Sequence, residues 1–130
     1  MDRPRRILVV EDEADVSRYL TAALEDEGYE VETAFDAVGG LAAITEQQPD
    51  LVCLDIVMPG PTGLSLYREI RENEKLAGMP IVVVSGLSPQ DAKSTMGFGE
   101  SLPPPDAFIE KPVNIVELIE TVGRLTAGRG

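Results

Sequence analysis

Apolar residues follow two rhythms along this 130-residue chain, short unbroken runs and spacings of three and four, and the two alternate from end to end. Arg5–Val10, Leu51–Leu54 and Ile81–Val84 are runs of the first kind, with a shorter one at Ala107–Ile109. Such runs read as strands buried on both faces, the kind found in the middle of a parallel sheet. Glu30-Val31-Glu32-Thr33-Ala34 alternates polar with apolar instead and reads as an edge strand. Between the strands lie helical spacings. Val16, Leu20, Ala23 and Leu24 form one apolar stripe, closed by Gly28 as a natural helix end. Asp36 can cap a second helix carrying Gly39-Gly40 and Leu41–Ile44, and two glycines at about 1 kcal/mol each relative to Ala predict a helix that is short or loose. Leu64, Leu66, Tyr67 and Ile70 mark a third, to about Asn73.

Ser88-Pro89-Gln90-Asp91 combines an N-cap, a proline at the first helical position and an early acid. The helix it opens has little apolar surface (Ala92, Met96, Phe98) and soon meets Gly97, Gly99 and Pro103-Pro104-Pro105, so it should be short and weakly held. Asn114 with Glu117 resembles a capping box for a final helix with Ile115, Leu118, Ile119, Val122 and Leu125 on one face, and the tail from Ala127 should fray. Five strands alternating with five helices, joined by right-handed crossovers, give an α/β three-layer sandwich around a parallel sheet. The length suits one domain over 1–130, with a core from about residue 5 to about 126.

Charge narrows the function. Twenty-three acidic residues against 11 basic leave a formal net charge of −12, a field that repels nucleic-acid phosphates and anionic lipid. No nucleic-acid or membrane partner is expected. The chain has no histidine, which removes most zinc sites and all His-based triads. Its single cysteine, Cys53, lies inside an apolar run and reads as a small buried hydrophobe. No apolar run is long enough to cross a bilayer and no secretory leader is evident, so a cytoplasmic location is the default.

The polar residues that interrupt this pattern fall at strand ends. Glu11 and Asp12, Asp55, Ser85 and Lys111 each stand where an apolar run gives way to a loop, and a parallel sheet gathers such ends along one edge. Three carboxylates drawn together raise one another's pKa unless a cation sits among them, and hard oxygen ligands suit Mg²⁺. Lys111 adds a mobile point charge for an anion beside that metal. Metal, carboxylate, hydroxyl and ammonium converging on one point are equipment for phosphoryl transfer.

With these residues in view, the chain resembles the receiver domain of bacterial two-component response regulators, over nearly its whole length. The features that carry the resemblance are Glu11-Asp12 after the first strand, Pro49-Asp50-Leu51 leading to Asp55, Met58-Pro59-Gly60 with Gly63 beyond, Ser85-Gly86, and Phe108 three residues before Lys111-Pro112. The resemblance implies a flavodoxin-like fold with strand order 2-1-3-4-5. It further implies Asp55 as phosphoacceptor from the phosphohistidine of a sensor histidine kinase or histidine phosphotransfer protein. Mg²⁺ would be held by Asp12, Asp55 and the Val57 carbonyl, with Glu11 acting through water. Lys111 and Ser85 would contact the phosphoryl group, and Phe108 would be the switch aromatic. Phe108 and Ser85 can also be read as plain core and a plain strand end, and Met58 reads as packing. No substrate turnover beyond self-phosphorylation and its reversal is implied. The downstream protein is unspecified, and a phosphorylation-dependent homodimer is one form the output could take.

Two other readings compete. A receiver-like adaptor would signal by protein binding without phosphorylation. An aspartyl-nucleophile phosphatase would need a second acid two residues after Asp55, where Val57 stands. Between Ser85 and Lys111 the chain is a few residues longer than is usual in the family, near Gly97 to Asp106, and a mobile or partner-specific loop is expected there.

Overall fold

The computed structural model describes residues 4–57, 63–97 and 102–127. Met58-Pro59-Gly60, the Phe98–Ser101 stretch and the last three residues of the tail fall outside the described residues, as does the side chain of Met96. The chain alternates β1 (Arg6–Val10), α1 (Ala14–Asp26), β2 (Glu30–Ala34), α2 (Ala37–Glu46), β3 (Leu51–Leu54), α3 (Gly63–Glu72), β4 (Ile81–Ser85), α4 (Pro89–Met96), β5 (Ala107–Glu110) and α5 (Ile115–Thr126). The five strands form one parallel sheet in the order β2-β1-β3-β4-β5, flavodoxin-like. Every residue of β3 and β4 is buried, as their unbroken apolar runs require, whereas β2 lies at the edge and keeps three of its five residues exposed.

Side chains alternate across the pleat, so the sheet divides its apolar residues between two cores. Leu8, Val10, Val52, Leu54 and Val83 pack beneath α2, α3 and α4, together with Leu66, Tyr67 and Ala92. Ile7, Val9, Cys53, Val82 and Val84 face α1 and α5, with Leu20, Leu24, Leu118 and Val122. Cys53 is a packed hydrophobe whose thiol pKa burial pushes up to about 12. Among the described residues, three helices start on side-chain caps: Asp36 accepts from Gly39 N–H, Ser88 from Asp91 N–H and Asn114 from Glu117 N–H.

α2 carries its glycine pair through ten residues. A Cβ at Gly40 would lie 2.8 Å from Leu66 Cδ2 and 3.1 Å from Val10 Cγ2, so this glycine lets α2 settle close to α3 and β1. Gly63 is tighter still. A Cβ there would come within 2.0 Å of the Asp55 carbonyl oxygen and 2.6 Å of Ile56 Cα, so the first turn of α3 rests directly on the backbone that follows β3.

Within the stretch expected to be a mobile or partner-specific loop, residues 102–106 make specific contacts with the rest of the fold. Leu102 is buried in the core, and its N–H donates to the Gly97 carbonyl. Tyr67 Oη donates to the Pro103 carbonyl at 2.6 Å, and Asp106 Oδ2 accepts from Arg71 Nη2 at 2.9 Å and from Ile81 N–H at 2.8 Å. Arg71 also donates to the Ala77 and Met79 carbonyls and lies over the Tyr67 ring. Nothing in the local sequence announces this anchoring, because Tyr67 and Arg71 lie more than thirty residues upstream. α4 does match expectation: it has eight residues, and Ala92 is its buried member among the described side chains.

Candidate functional site

Hydrogen bonding continues past the ends of the central strands and sets the first polar residues in place. Glu11 N–H donates to the Ala34 carbonyl and Asp55 N–H to the Val10 carbonyl, each at 3.0 Å. The carboxylates of Glu11 and Asp55 therefore project from adjacent strands at the same edge, where open α/β sheets receive ligands. Both are buried, at 1% and 3% exposure, while Asp12 next to them is exposed. One oxygen from each of Glu11, Asp12 and Asp55 lies within 4.8 Å of the others.

A single ammonium faces this group. Lys111 Nζ lies 3.0 Å from Glu11 Oε1, 3.2 Å from Glu13 Oε1 and 3.3 Å from Asp55 Oδ2. Lys111 is aimed there from the end of β5, where its own N–H donates to the Ser85 carbonyl at 2.8 Å and the following bond to Pro112 is cis. Burial alone would lower its pKa, but the bonds and charges of Glu11, Asp55 and Glu13 outweigh that and hold it above the ordinary lysine value. Glu11 moves the other way from the usual carboxylate: burial, helped by the charge of Asp55, raises it to about 7 against the pull of Lys111 and of the Glu13 N–H. Its Oε1 makes the shortest of the three ion pairs to that ammonium.

The sequence-predicted residues divide into two groups. Glu11, Asp12, Asp55 and Lys111 converge, and Val57 joins them through its N–H, which donates to Asp55 Oδ1 at 2.9 Å. The Val57 side chain is exposed, and no acid stands there to serve a phosphatase. Ser85 and Phe108 belong to the next strands outward. Ser85 is fully buried and its Oγ accepts from Leu87 N–H at 3.2 Å. Phe108, opposite Val83 in the ladder, is partly buried against the α2–α4 core. One residue escaped the sequence reading as a participant. Glu13 was visible only as the third acid after β1, and its partner lies 98 residues away.

A parallel sheet with buried acids and one lysine at the carboxyl ends of its strands defines the class of open α/β proteins that receive a ligand at that edge. The family is given by comparison: the family model described as "Response regulator receiver domain" matches residues 7–123, and the chain belongs to that family. It is 30% identical over 120 residues to the "DNA-binding dual master transcriptional regulator RpaA" of Synechocystis sp., covering 92% of this chain and 48% of that protein. It is 32% identical over 118 residues to "Response regulator ArlR" of Staphylococcus saprophyticus, covering 90% and 50%. The chain thus spans about half the length of these curated relatives. Among solved structures it resembles the chemotaxis response regulator CheY4 of Vibrio cholerae, with a TM-score of 0.81, 27% identity, and coverage of 94% of this chain and 98% of that one. It is therefore a receiver domain of the two-component type. Its acidic cluster fits a Mg²⁺ site, and no helix among the described residues is long and apolar enough to cross a membrane.

Proposed function

We propose that this chain, read as one receiver domain over residues 1–130, accepts a phosphoryl group on Asp55 from the phosphohistidine of a sensor kinase or a histidine phosphotransfer protein. A carboxylate oxygen of Asp55 forms the new O–P bond while the N–P bond of the donor breaks and its electron pair returns to the imidazole nitrogen. The observation that carries this reading is the Lys111 ammonium, set within 3.3 Å of Asp55 and already shared with two other carboxylates. A cation so placed can follow the charge from carboxylate to phosphoryl oxygens without leaving the site. Ser85, with Oγ now accepting from Leu87 N–H, keeps its own proton available for a phosphoryl oxygen. That contact would draw on the start of α4, and Phe108 on the neighbouring strand would follow.

The donor set suits Mg²⁺: one oxygen from each of three carboxylates, two of them buried, lies within 4.8 Å of the others. Asp12, Asp55 and the Val57 carbonyl would hold the ion, with Glu11 acting through water. Bound there, Mg²⁺ would offset negative charge on the reacting phosphoryl group. The phosphorylated form would then favour a different arrangement of the α4 and β5 face and a different downstream protein contact.

Incubation with acetyl phosphate and Mg²⁺ tests the assignment, with intact-protein mass spectrometry as the readout. The expected result is gain of one phosphoryl group by the parent, none by Asp55→Asn, and none for the parent in excess EDTA. Equal labelling of parent and Asp55→Asn would refute it.

A further inference from the structure

The helix N-cap of α1 is a glutamate that does not cap. Glu13 has extended backbone angles and its carbonyl receives Ser17 N–H at 2.9 Å, yet its side chain makes no bond to the first-turn amides. Asp36, Ser88 and Asn114, at the starts of α2, α4 and α5, all cap with their side chains. Glutamate is one methylene longer than the aspartate that usually serves. Here the extra length carries the carboxylate over to Lys111, where Oε1 accepts from Nζ at 3.2 Å. The backbone of Glu13 is held for this reach from both sides, since its N–H donates to Glu11 Oε2 at 3.2 Å. Glu13 is the exposed member of the three carboxylates around that ammonium, with a side chain 63% accessible to solvent.

We infer that Glu13 is a positioning residue which parks the Lys111 ammonium in the unphosphorylated protein and gives it up when the phosphoryl group arrives, so that it sets the rate of phosphoryl uptake and the lifetime of the product. The inference rests on the proposed phosphoryl acceptance by Asp55. Its physical basis is competition for one point charge. Glu11 and Asp55 are buried beside Lys111 and cannot withdraw, whereas Glu13 stands in water and can release the ammonium at the modest cost of an exposed ion pair. No bond to Lys111 is made or broken covalently. The ammonium exchanges one carboxylate oxygen for a phosphoryl oxygen, and Glu13 turns to solvent. An interaction present only before transfer stabilises the starting state, so its removal favours uptake and retention.

Glu13→Gln, Glu13→Asp and Asp15→Asn separate the explanations. Asp has the charge of Glu and caps better, but its shorter arm falls back from Lys111. Asp15 lies at the same rim with a side chain 93% accessible and is bonded to Arg18. Expected is a rise of about threefold in labelling rate at subsaturating acetyl phosphate, with a longer-lived product, for both Glu13 variants, the effect of losing one exposed ion pair. Asp15→Asn should remain near the parent. Glu13→Asp behaving as the parent, or Asp15→Asn matching Glu13→Gln, would overturn the inference in favour of a general field effect. A second readout needs no label: the ¹⁵N resonance of the Lys111 ammonium in unphosphorylated protein should move in both Glu13 variants and not in Asp15→Asn. An unmoved resonance refutes the tether. Absence of label on the parent with a moved resonance refutes the phosphoacceptor reading instead, and with it the claim that the tether sets uptake.

Discussion

Two cations stand at opposite ends of the sheet, and they are used in opposite ways. Lys111, at the carboxyl ends of the strands, is one point charge among three carboxylates, with Asp12 adding a fourth acid nearby. Arg71 works at the other end, where β4 and β5 begin. Its planar fork reaches the Ala77 and Met79 carbonyls and Asp106, and its face covers Tyr67. Asp106 in turn accepts from Ile81 N–H, and its own N–H donates to the Ile81 carbonyl. At the Arg71 end each named donor and acceptor has a partner and opposite charges balance. At the Lys111 end negative charge is in excess, with four acids gathered about one ammonium. A saturated cluster holds a fold together, whereas an undersaturated one is prepared to receive something.

The contrast can be broken most forcefully at Arg71. Arg71→Ala should lower unfolding stability by about 2–4 kcal/mol, because two carbonyls and a carboxylate lose a guanidinium that is itself largely buried. Acetyl phosphate labelling of the protein that remains folded should be unchanged, and urea unfolding monitored alongside labelling checks both. Arg71→Lys should recover only part of the loss, since an ammonium cannot reproduce the fork.

Next in size is Glu11, where removing a charge should help the fold and harm the site. In the metal-free protein this carboxyl holds its proton up to about pH 7 rather than the usual 4.5. The folded chain therefore binds more protons than the unfolded one between those values. The stabilisation linked to that proton is complete below about pH 4.5 and is lost as pH rises through 7. Thermal unfolding of the metal-free protein at pH 8 should accordingly show Glu11→Gln more stable than the parent by about 2 kcal/mol, with the difference shrinking toward pH 5. Added Mg²⁺ should stabilise the parent more than the variant. Parent and variant with the same pH profile would show that the Glu11 carboxylate is not under this strain.

The smallest expected effect belongs to Tyr67→Phe. It deletes the bond to the Pro103 carbonyl and the longer one accepted from Arg71 Nε at 3.5 Å, and leaves the buried ring, for a loss of about 1 kcal/mol. Hydrogen exchange should be faster at Leu102 and Asp106 while the amides of β3 keep their protection.

These two ends were not equally legible in the sequence. Glu11, Asp12, Asp55 and Lys111 could be found because each follows an apolar run, and parallel strands bring such positions to one edge whatever the loops do. Caps at Asp36, Ser88 and Asn114 were readable for the same reason, since a cap acts on amides two or three residues away. The Arg71 clamp was not, because its meaning lies in Asp106 and the Met79 carbonyl, and no local rhythm marks an arginine in the last turn of α3 as anything but solvent-facing. Glu13 was hidden by its neighbours, a third acid in an acidic stretch. The packing role of Gly40 is not legible from propensity, which counts the backbone entropy of a glycine and not the helix it allows to approach.

The contact between Gly63 and the Asp55 carbonyl has a consequence for how this protein tolerates change. Not even a methyl group fits there, so a library covering all twenty amino acids at that codon should return one survivor, whereas Gly78, where a β-carbon would meet nothing within 4 Å, should accept many. Drift in the sequence is thereby channelled away from the turn beneath Asp55 and toward parts of the surface where no backbone lies so close.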